Sequence, residues 1–267
     1  LLLNLTRDLS WRTTFSTGFR APQVFDEDLH IAQVGGEGMI IENSPDLFQE
    51  SSFSVSSGMD FGRLLGGTNL QLSLEGFYTL LADTFILNEK EFDSRENALV
   101  FERINGSNSK VYGLSFEFGY QLGRYLSFLT GWTVQRSRLD EPEPDFGSTD
   151  LFRSPNNYGF LVLNYENEKL ADIDLSLEYT GSMIVPHYSG FIAEDRLETS
   201  DPFWVLNGKI TKPISLGNDN SIDLFVGVAN LFNSFQKDLD KGLFRDSAYV
   251  YGPSKPRAVY AGFEFTF

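Results

Sequence analysis

Two imidazoles are the first candidates for chemistry in this chain. His30 and His187 fall in long polar segments beside carboxylates, Asp26, Glu27 and Asp28 in one case and Glu194 and Asp195 in the other. An imidazole among carboxylates can contact a metal or an iron chelate; the plainer expectation for each is a solvated loop histidine. The acidic run Asp140, Glu141, Glu143, Asp145 and Asp150 offers oxygen ligands for Ca²⁺, yet it lacks the ordered spacing and turn glycine of a calcium loop, so an acidic surface loop is the preferred expectation and no metal is assigned. Tyr188, Phe191, Phe203, Phe244, Tyr249 and Tyr251 give other loops aromatic surface. Such rings stack on a planar or macrocyclic ligand or pack loops on one another, and packing is favoured. Arg20, at the end of an apolar-polar run, is expected to pair across a wet interior with acids such as Glu117 or Glu178. For covalent catalysis the chain is empty: no Gly-x-Ser-x-Gly, no cysteine, no phosphate-cradling glycine loop and no metal-spaced histidines. Binding, without a cofactor, is the chemistry these residues suit.

The elements that must position them are strands. The 267 residues are 41% apolar and include 25 Phe and 11 Tyr against three Met, a composition that suits a pleated surface better than helices. A net charge of -16, with no basic stripe along the chain, excludes nucleic acid as the expected partner. The start, "LLLNLTRDLS", has neither the basic region nor the cleavage site of a secretory signal. No run approaches 18 apolar residues, so an ordinary transmembrane helix is not expected. A membrane barrel passes both tests.

Alternation with period two recurs along the chain. Phe53, Val55, Met59 and Phe61 alternate with Ser52, Ser54, Ser56, Gly58 and Asp60; Tyr112, Leu114, Phe116, Phe118, Tyr120 and Leu122 alternate with Ser115, Glu117, Gly119 and Gln121. Ile173, Leu175, Leu177, Tyr179 and Met183 are set against Asp172, Asp174, Ser176, Glu178 and Thr180. Similar runs start at Trp11, Leu70, Leu126, Tyr158, Trp204 and Ser221, and the chain closes on "RAVYAGFEFTF". That predicts about ten strands and a stub at Leu1 to Thr6. Short connections (6–9, 62–68, 123–124, 166–171, 215–220) alternate with long ones (21–48, 89–97, 140–151, 185–201, 231–256). In an up-and-down sheet this puts tight turns at one end and long loops at the other, the habit of outer-membrane barrels. Tyr112 to Leu122, tilted by about 40°, covers about 28 Å, close to an apolar band of about 25 Å. Trp11, Trp132 and Trp204 are candidates for an interfacial aromatic girdle.

Three ordered motifs resemble one family. "FSTGFRAPQVF" is similar to the Gly-aromatic-basic-Ala-Pro segment of TonB-dependent outer-membrane receptors, carried by Gly18, Phe19, Arg20, Ala21 and Pro22. Pro45, Asp46, Leu47 and Glu50 resemble its Asn-Pro-Asp-Leu-x-Pro-Glu stretch, with departures at Phe48 and Gln49. "VGVANLFNSF" resembles its Asn-Leu-Phe-Asn motif, and "YGPSKPRAVYAGFEFTF" its last strand, whose terminal aromatic, here Phe267, serves as an assembly signal.

The resemblance implies an antiparallel transmembrane β-barrel of 22 strands plugged by an N-terminal domain. Residues 1–267 are then expected to be the C-terminal half of that barrel, entered on a descending strand and without the plug. It further implies residence in the outer membrane of a Gram-negative cell and contact with lipid and the barrel-assembly machinery. Uptake of a scarce small molecule, such as a ferric siderophore or cobalamin, would be driven by TonB, ExbB and ExbD through the plug. The loop residues that would meet the ligand are Arg20, His30, His187, Tyr188, Phe191, Tyr249 and Tyr251. Two other classes stay open: a complete ten-stranded outer-membrane hydrolase using His30 or His187, and a soluble β-sandwich.

Overall fold

In the computed structural model residues 1–22, 38–93, 98–167, 169–217 and 220–267 are described. The alternating segments form strands β1 (Leu2–Asn4), β2 (Leu9–Arg20), β4 (Glu50–Leu65), β5 (Thr68–Ala82), β8 (Ser109–Leu122), β9 (Leu126–Leu139), β10 (Asn157–Tyr165), β11 (Asp172–Thr180), β14 (Phe203–Gly217), β15 (Asn220–Ala229) and β16 (Ala258–Thr266). They lie side by side in that order as one 11-stranded sheet, every neighbouring pair antiparallel. The expected ten strands and a stub are therefore present, joined as an up-and-down meander. Tight turns suit their residues: Gly66 and Gly67 (φ 55 and 88) reverse the chain between β4 and β5, a left-handed conformation glycine adopts without a Cβ clash.

The long connections hold strands of their own, which alternation did not reveal. β3 (Gly38–Asn43), β6 (Phe85–Asp93) and β7 (Ala98–Asn105) make a three-stranded sheet; β3 runs parallel to β7, and β6 antiparallel to it. The connection from β5 to β8 is thus longer than the 89–97 expected. β12 (Ile184–His187) and β13 (Arg196–Thr199) form a separate hairpin.

Directly opposed residues share a face of the sheet, so the register fixes both sides. One cross-strand row runs Trp11, Met59, Leu74, Phe116, Trp132, Gly159, Tyr179, Trp204. It begins near the turn end of β2 and finishes at the loop end of β14, a climb that follows from strands tilted in a barrel wall. Gly159 is a gap over which the Trp132 ring lies: an added Cβ would run into that ring. Trp132 thereby stacks on Tyr179 at 5.0 Å between centroids, and Tyr179 meets Trp204 at 4.4 Å. Two of the three tryptophans expected in a girdle lie in this ring cluster. Trp11 lies on the same face near the opposite border, its indole N–H donating to Ser57 Oγ at 2.8 Å.

Among the described residues nothing packs on that apolar face. Phe15 is 67% exposed, Leu114 60%, Val259 75% and Phe263 70%, whereas the buried hydrophobic cluster, Met183, Val185 and Tyr249, lies among the loops. A soluble sandwich would bury such a face against a second sheet. Among the described residues no second layer does so, and the exposed stripe is the lipid-facing surface of a transmembrane barrel wall.

Candidate functional site

The carboxylates of the wall fall on one of its two faces. The strand carboxylates Glu50, Asp60, Glu75, Glu117, Asp172, Asp174, Glu178, Asp223 and Glu264 all alternate onto the face opposite the apolar stripe. On that inner face polar groups satisfy one another across strands. Arg12 reaches over Gly58 to Glu75 at 3.0 Å and approaches Asp60 at 3.9 Å, and Ser73 donates to Asp60 at 2.7 Å. Lys209 lies 3.4 Å from Asp174, which also accepts from Asn164 at 2.8 Å. Two polar depressions mark this face near the turns. One, of about 560 Å³, is lined by Arg12, Asp60, Gln71, Ser73 and Glu117; the other, of about 680 Å³, by Asp172, Asp174, Lys209 and Asp223.

At the loop end, segments 140–156, 181–202 and 230–257 close into one cap around His187. The imidazole is 4% exposed. Its ring stacks on Tyr249 at 3.7 Å and 7°, Nε2 meets the Asp240 carboxylate at 3.0 and 3.1 Å, and Nδ1 lies 4.0 Å from Glu198 without a hydrogen bond. Asp240 also accepts the Asp246 N–H at 2.9 Å, while Asp246 accepts the Tyr188 N–H at 3.0 Å. A second carboxylate, Asp238, receives the phenols of Tyr249 and Tyr251, each at 2.7 Å. Burial pushes the Asp238 carboxyl up, but hydrogen bonds from Tyr251, Tyr249, its own backbone and Gln236 together outweigh it and hold the group below the usual carboxylate range. The same burial, joined by the hydrogen bonds to Asp238 and its charge, raises both phenols well above their ordinary value.

Asn230 ties this cap to the wall. It sits at φ 50 just past β15, 5% exposed. Its Nδ2 donates to the carbonyls of Ser234 (2.7 Å) and Lys255 (2.9 Å), and its Oδ1 accepts the Ser234 N–H (2.9 Å). Asn233, at φ 52, accepts the Arg257 N–H at 2.9 Å. The two asparagines of the Asn-Leu-Phe-Asn stretch therefore hold together the exit of β15 and the entry of β16.

Of the candidate binding residues, the fold brings His187, Tyr188, Tyr249 and Tyr251 into this cap, with Phe191 at its outer surface, 53% exposed. The expectation of a solvated histidine fails for His187, because a partner 53 residues away in sequence, Asp240, encloses it. Loop packing holds for Tyr249, Tyr251 and Phe203, while Phe244 is 71% exposed. Arg20 lies apart, seven strand spacings or about 34 Å along the sheet from β14. Its partner is its direct cross-strand neighbour Glu50, at 3.7 Å, not Glu117 or Glu178, and its guanidinium sits 5.7 Å from the Phe85 ring centre. His30 lies outside the described residues. The acidic run is spent on local structure: Asp140 binds Lys110 at 2.9 Å, Glu143 caps the Phe146 N–H at 2.9 Å, and Asp150 lies 3.9 Å from Arg138. Among the described residues no group of three or more His, Asp or Glu side chains is arranged to hold a metal. Sequence reading did not single out Asp238, Asp240 or Gln236, whose roles arise from contacts with distant loops, and it marked Asn230 only as part of the Asn-Leu-Phe-Asn motif.

An antiparallel meander with a lipid-facing apolar side, a charged inner side and a packed cap of long loops defines an outer-membrane-type barrel wall. The family model for the TonB dependent receptor-like beta-barrel matches residues 1–231, and the chain belongs to that family. No curated protein matches it. Among solved structures, the siderophore receptor PirA from Acinetobacter baumannii is similar at 16% identity and a TM-score of 0.65, covering 100% of this chain and 40% of its own. The ferric-catecholate import receptor Fiu from Escherichia coli K12 is similar at 16% and 0.65, with 99% of this chain and 34% of its own. The ferripyoverdine receptor of the outer membrane of Pseudomonas aeruginosa stands at 12% and 0.65, with 99% and 32%. At these identities the likeness is one of fold, and this chain spans well under half the length of each.

Proposed function

We propose that the chain is the C-terminal part of the barrel of an outer-membrane TonB-dependent receptor that takes up a scarce small molecule, an iron chelate of the siderophore class being the favoured cargo. The observation that carries this reading is the division of acidic charge across the wall: among the described residues every carboxylate on the strands of the 11-stranded sheet faces inward and the apolar stripe faces outward, as a gated, water-filled passage through lipid requires. Family membership and the siderophore receptors among the similar folds supply the cargo class. The first and last strands each have one edge with no strand beside it among the described residues. Backbone groups on such edges need partners inside a bilayer, and the remaining strands of a 22-stranded barrel supply them. The inner-face depression beside Asp172, Asp174 and Lys209 then faces the plug.

In this account the His187 cap shapes the outer mouth, and Phe191 and Phe244 present rings to incoming ligand. TonB, ExbB and ExbD act on the plug, and Phe267 is the handle for the barrel-assembly machinery. No bond is made or broken in the cargo. His187 and Asp240 do resemble two members of a hydrolytic triad, but among the described residues Nδ1 has no hydroxyl bound to it.

The test is uptake. The receptor carrying this chain, expressed in iron-starved cells that lack their own receptors, should accumulate radiolabelled ferric siderophore only when TonB is present. Accumulation that persists without TonB, or none for any chelate despite correct insertion, would overturn the proposal.

A further inference from the structure

The outer face has a second charge pattern that nothing above uses. Among the described residues, its strands carry no carboxylate, and their only charges are basic: Arg63 and Lys212 near the turns, and Lys110, Arg136 and Arg138 at the loop end of β8 and β9. A chain with 37 acidic and 21 basic residues has thus left one sign alone on its lipid side, at the two borders of the apolar band. Long basic side chains at such borders reach toward headgroups.

The loop-end cluster is built for more than snorkelling. Lys110 lies directly opposite Arg138, and Arg136, two residues from Arg138 on the same face, lies opposite Tyr112. Like charges directly opposite are unfavourable. Asp140 offsets Lys110 at 2.9 Å and Asp150 offsets Arg138 at 3.9 Å. Arg136 is exposed and has no ion pair or side-chain hydrogen bond among the described residues. On the same face Tyr112, level with Arg136, stacks on Tyr78 with centroids 6.4 Å apart, and toward the turns follow Leu114, 60% exposed, and Trp132. Cations, then rings, then hydrocarbon is the order in which an amphiphile lying in the outer leaflet presents phosphate, interface and acyl chain.

We infer that the outer wall of β8 and β9 binds a phosphate-bearing amphiphile of the outer leaflet, with Arg136 as its main phosphate ligand and Lys110 and Arg138 flanking it. Arginine suits this role through its planar, bidentate donor fork. The inference rests on the membrane-spanning reading but not on the identity of the cargo.

The receptor would be reconstituted into nanodiscs of neutral lipid doped with a phosphorylated lipid, and the lipid retained after detergent extraction counted by native mass spectrometry. The double variant Arg136→Gln/Arg138→Gln should weaken retention about thirtyfold, from two basic side chains near the surface. Lys241→Gln/Arg245→Gln, an equal charge change on an exposed loop, should leave it intact, and Asp140→Asn/Asp150→Asn, which frees Lys110 and Arg138, should raise it. Inorganic phosphate should not compete at matched concentration. Equal retention in the Arg136/Arg138 variant, or displacement by free phosphate, would overturn the inference while leaving the membrane reading standing; failure to insert into the nanodisc would instead remove the membrane reading.

Discussion

Placing arginine at two adjacent positions of β8 separates the faces of the wall more sharply than any single substitution. Phe116 sits on the apolar side, 41% exposed, and Glu117 on the inner side, opposite Ser73 and Gly131. At about 3.4 Å per residue and a tilt of about 40°, Phe116 lies about 10 Å below the Tyr112 border and about 16 Å above Leu122, near the middle of the band. Phe116→Arg should therefore cost about 2 to 4 kcal/mol. Glu117 makes no ion pair or side-chain hydrogen bond among the described residues, so Glu117→Arg, on a wet face, should stay within about 0.5 kcal/mol. The assay is reversible denaturant unfolding of the receptor in lipid vesicles, followed by tryptophan fluorescence and heat-modifiable migration. Equal losses at both positions, or a larger one at Glu117, would refute the assignment of faces.

Asn230→Ala removes the hydrogen bonds to Ser234 and Lys255 and leaves alanine in a left-handed conformation. At about 1 kcal/mol per bond it should cost about 3 kcal/mol, seen as early proteolysis within 231–257. Gly159→Ala should push the Trp132 ring off Tyr179, losing about 1 kcal/mol of stacking and the near-ultraviolet dichroism of that pair. The Asp238 carboxyl, depressed in the fold, contributes stability present above its unfolded pKa of about 3.9 and lost as pH falls through its lower folded value. The cap should then resist loop proteolysis at pH 5 and loosen only below about pH 4, and Asp238→Asn should abolish that acid limb. Tyr249 and Tyr251, raised in the fold, contribute stability present below about pH 10 and lost as pH rises through their higher folded values. Their phenolate absorbance should appear after that of the exposed tyrosines.

The wall was legible in the sequence because a strand repeats every second residue, and each strand carries its own signature from Phe53 to Phe61 or from Tyr112 to Leu122. Turn chemistry at Gly66 and Gly67 marked the ends. The loop strands left no such mark, since β12 and β13 have four residues each and β3 pairs in parallel with a segment far along the chain. The cap was legible only in composition. Its aromatics were visible, but the enclosure of His187 depends on Asp240 and that of Tyr249 on Asp238, contacts set by how three loops meet. The nearby Glu194 and Asp195 drew attention precluded by geometry: Asp195 accepts the Ser189 N–H at 2.5 Å instead. Arg20 was assigned distant acids because register is invisible before strands are paired; once β2 lies on β4, Glu50 is its neighbour. The outer basic cluster was hidden likewise, for Lys110 and Arg138 meet only through the β8–β9 register.

The most direct measurement of which face meets lipid is a spin-label scan of single cysteines from Val111 to Gln121 in the receptor reconstituted in bilayers. Power saturation would compare collisions with oxygen, which concentrates in hydrocarbon, against a water-soluble nickel chelate. Labels at Tyr112, Leu114, Phe116, Phe118 and Tyr120 should favour oxygen, and those at Gly113, Ser115, Glu117, Gly119 and Gln121 the chelate, in strict alternation. A profile without that alternation, or one with its phase inverted, would contradict the lipid-facing wall.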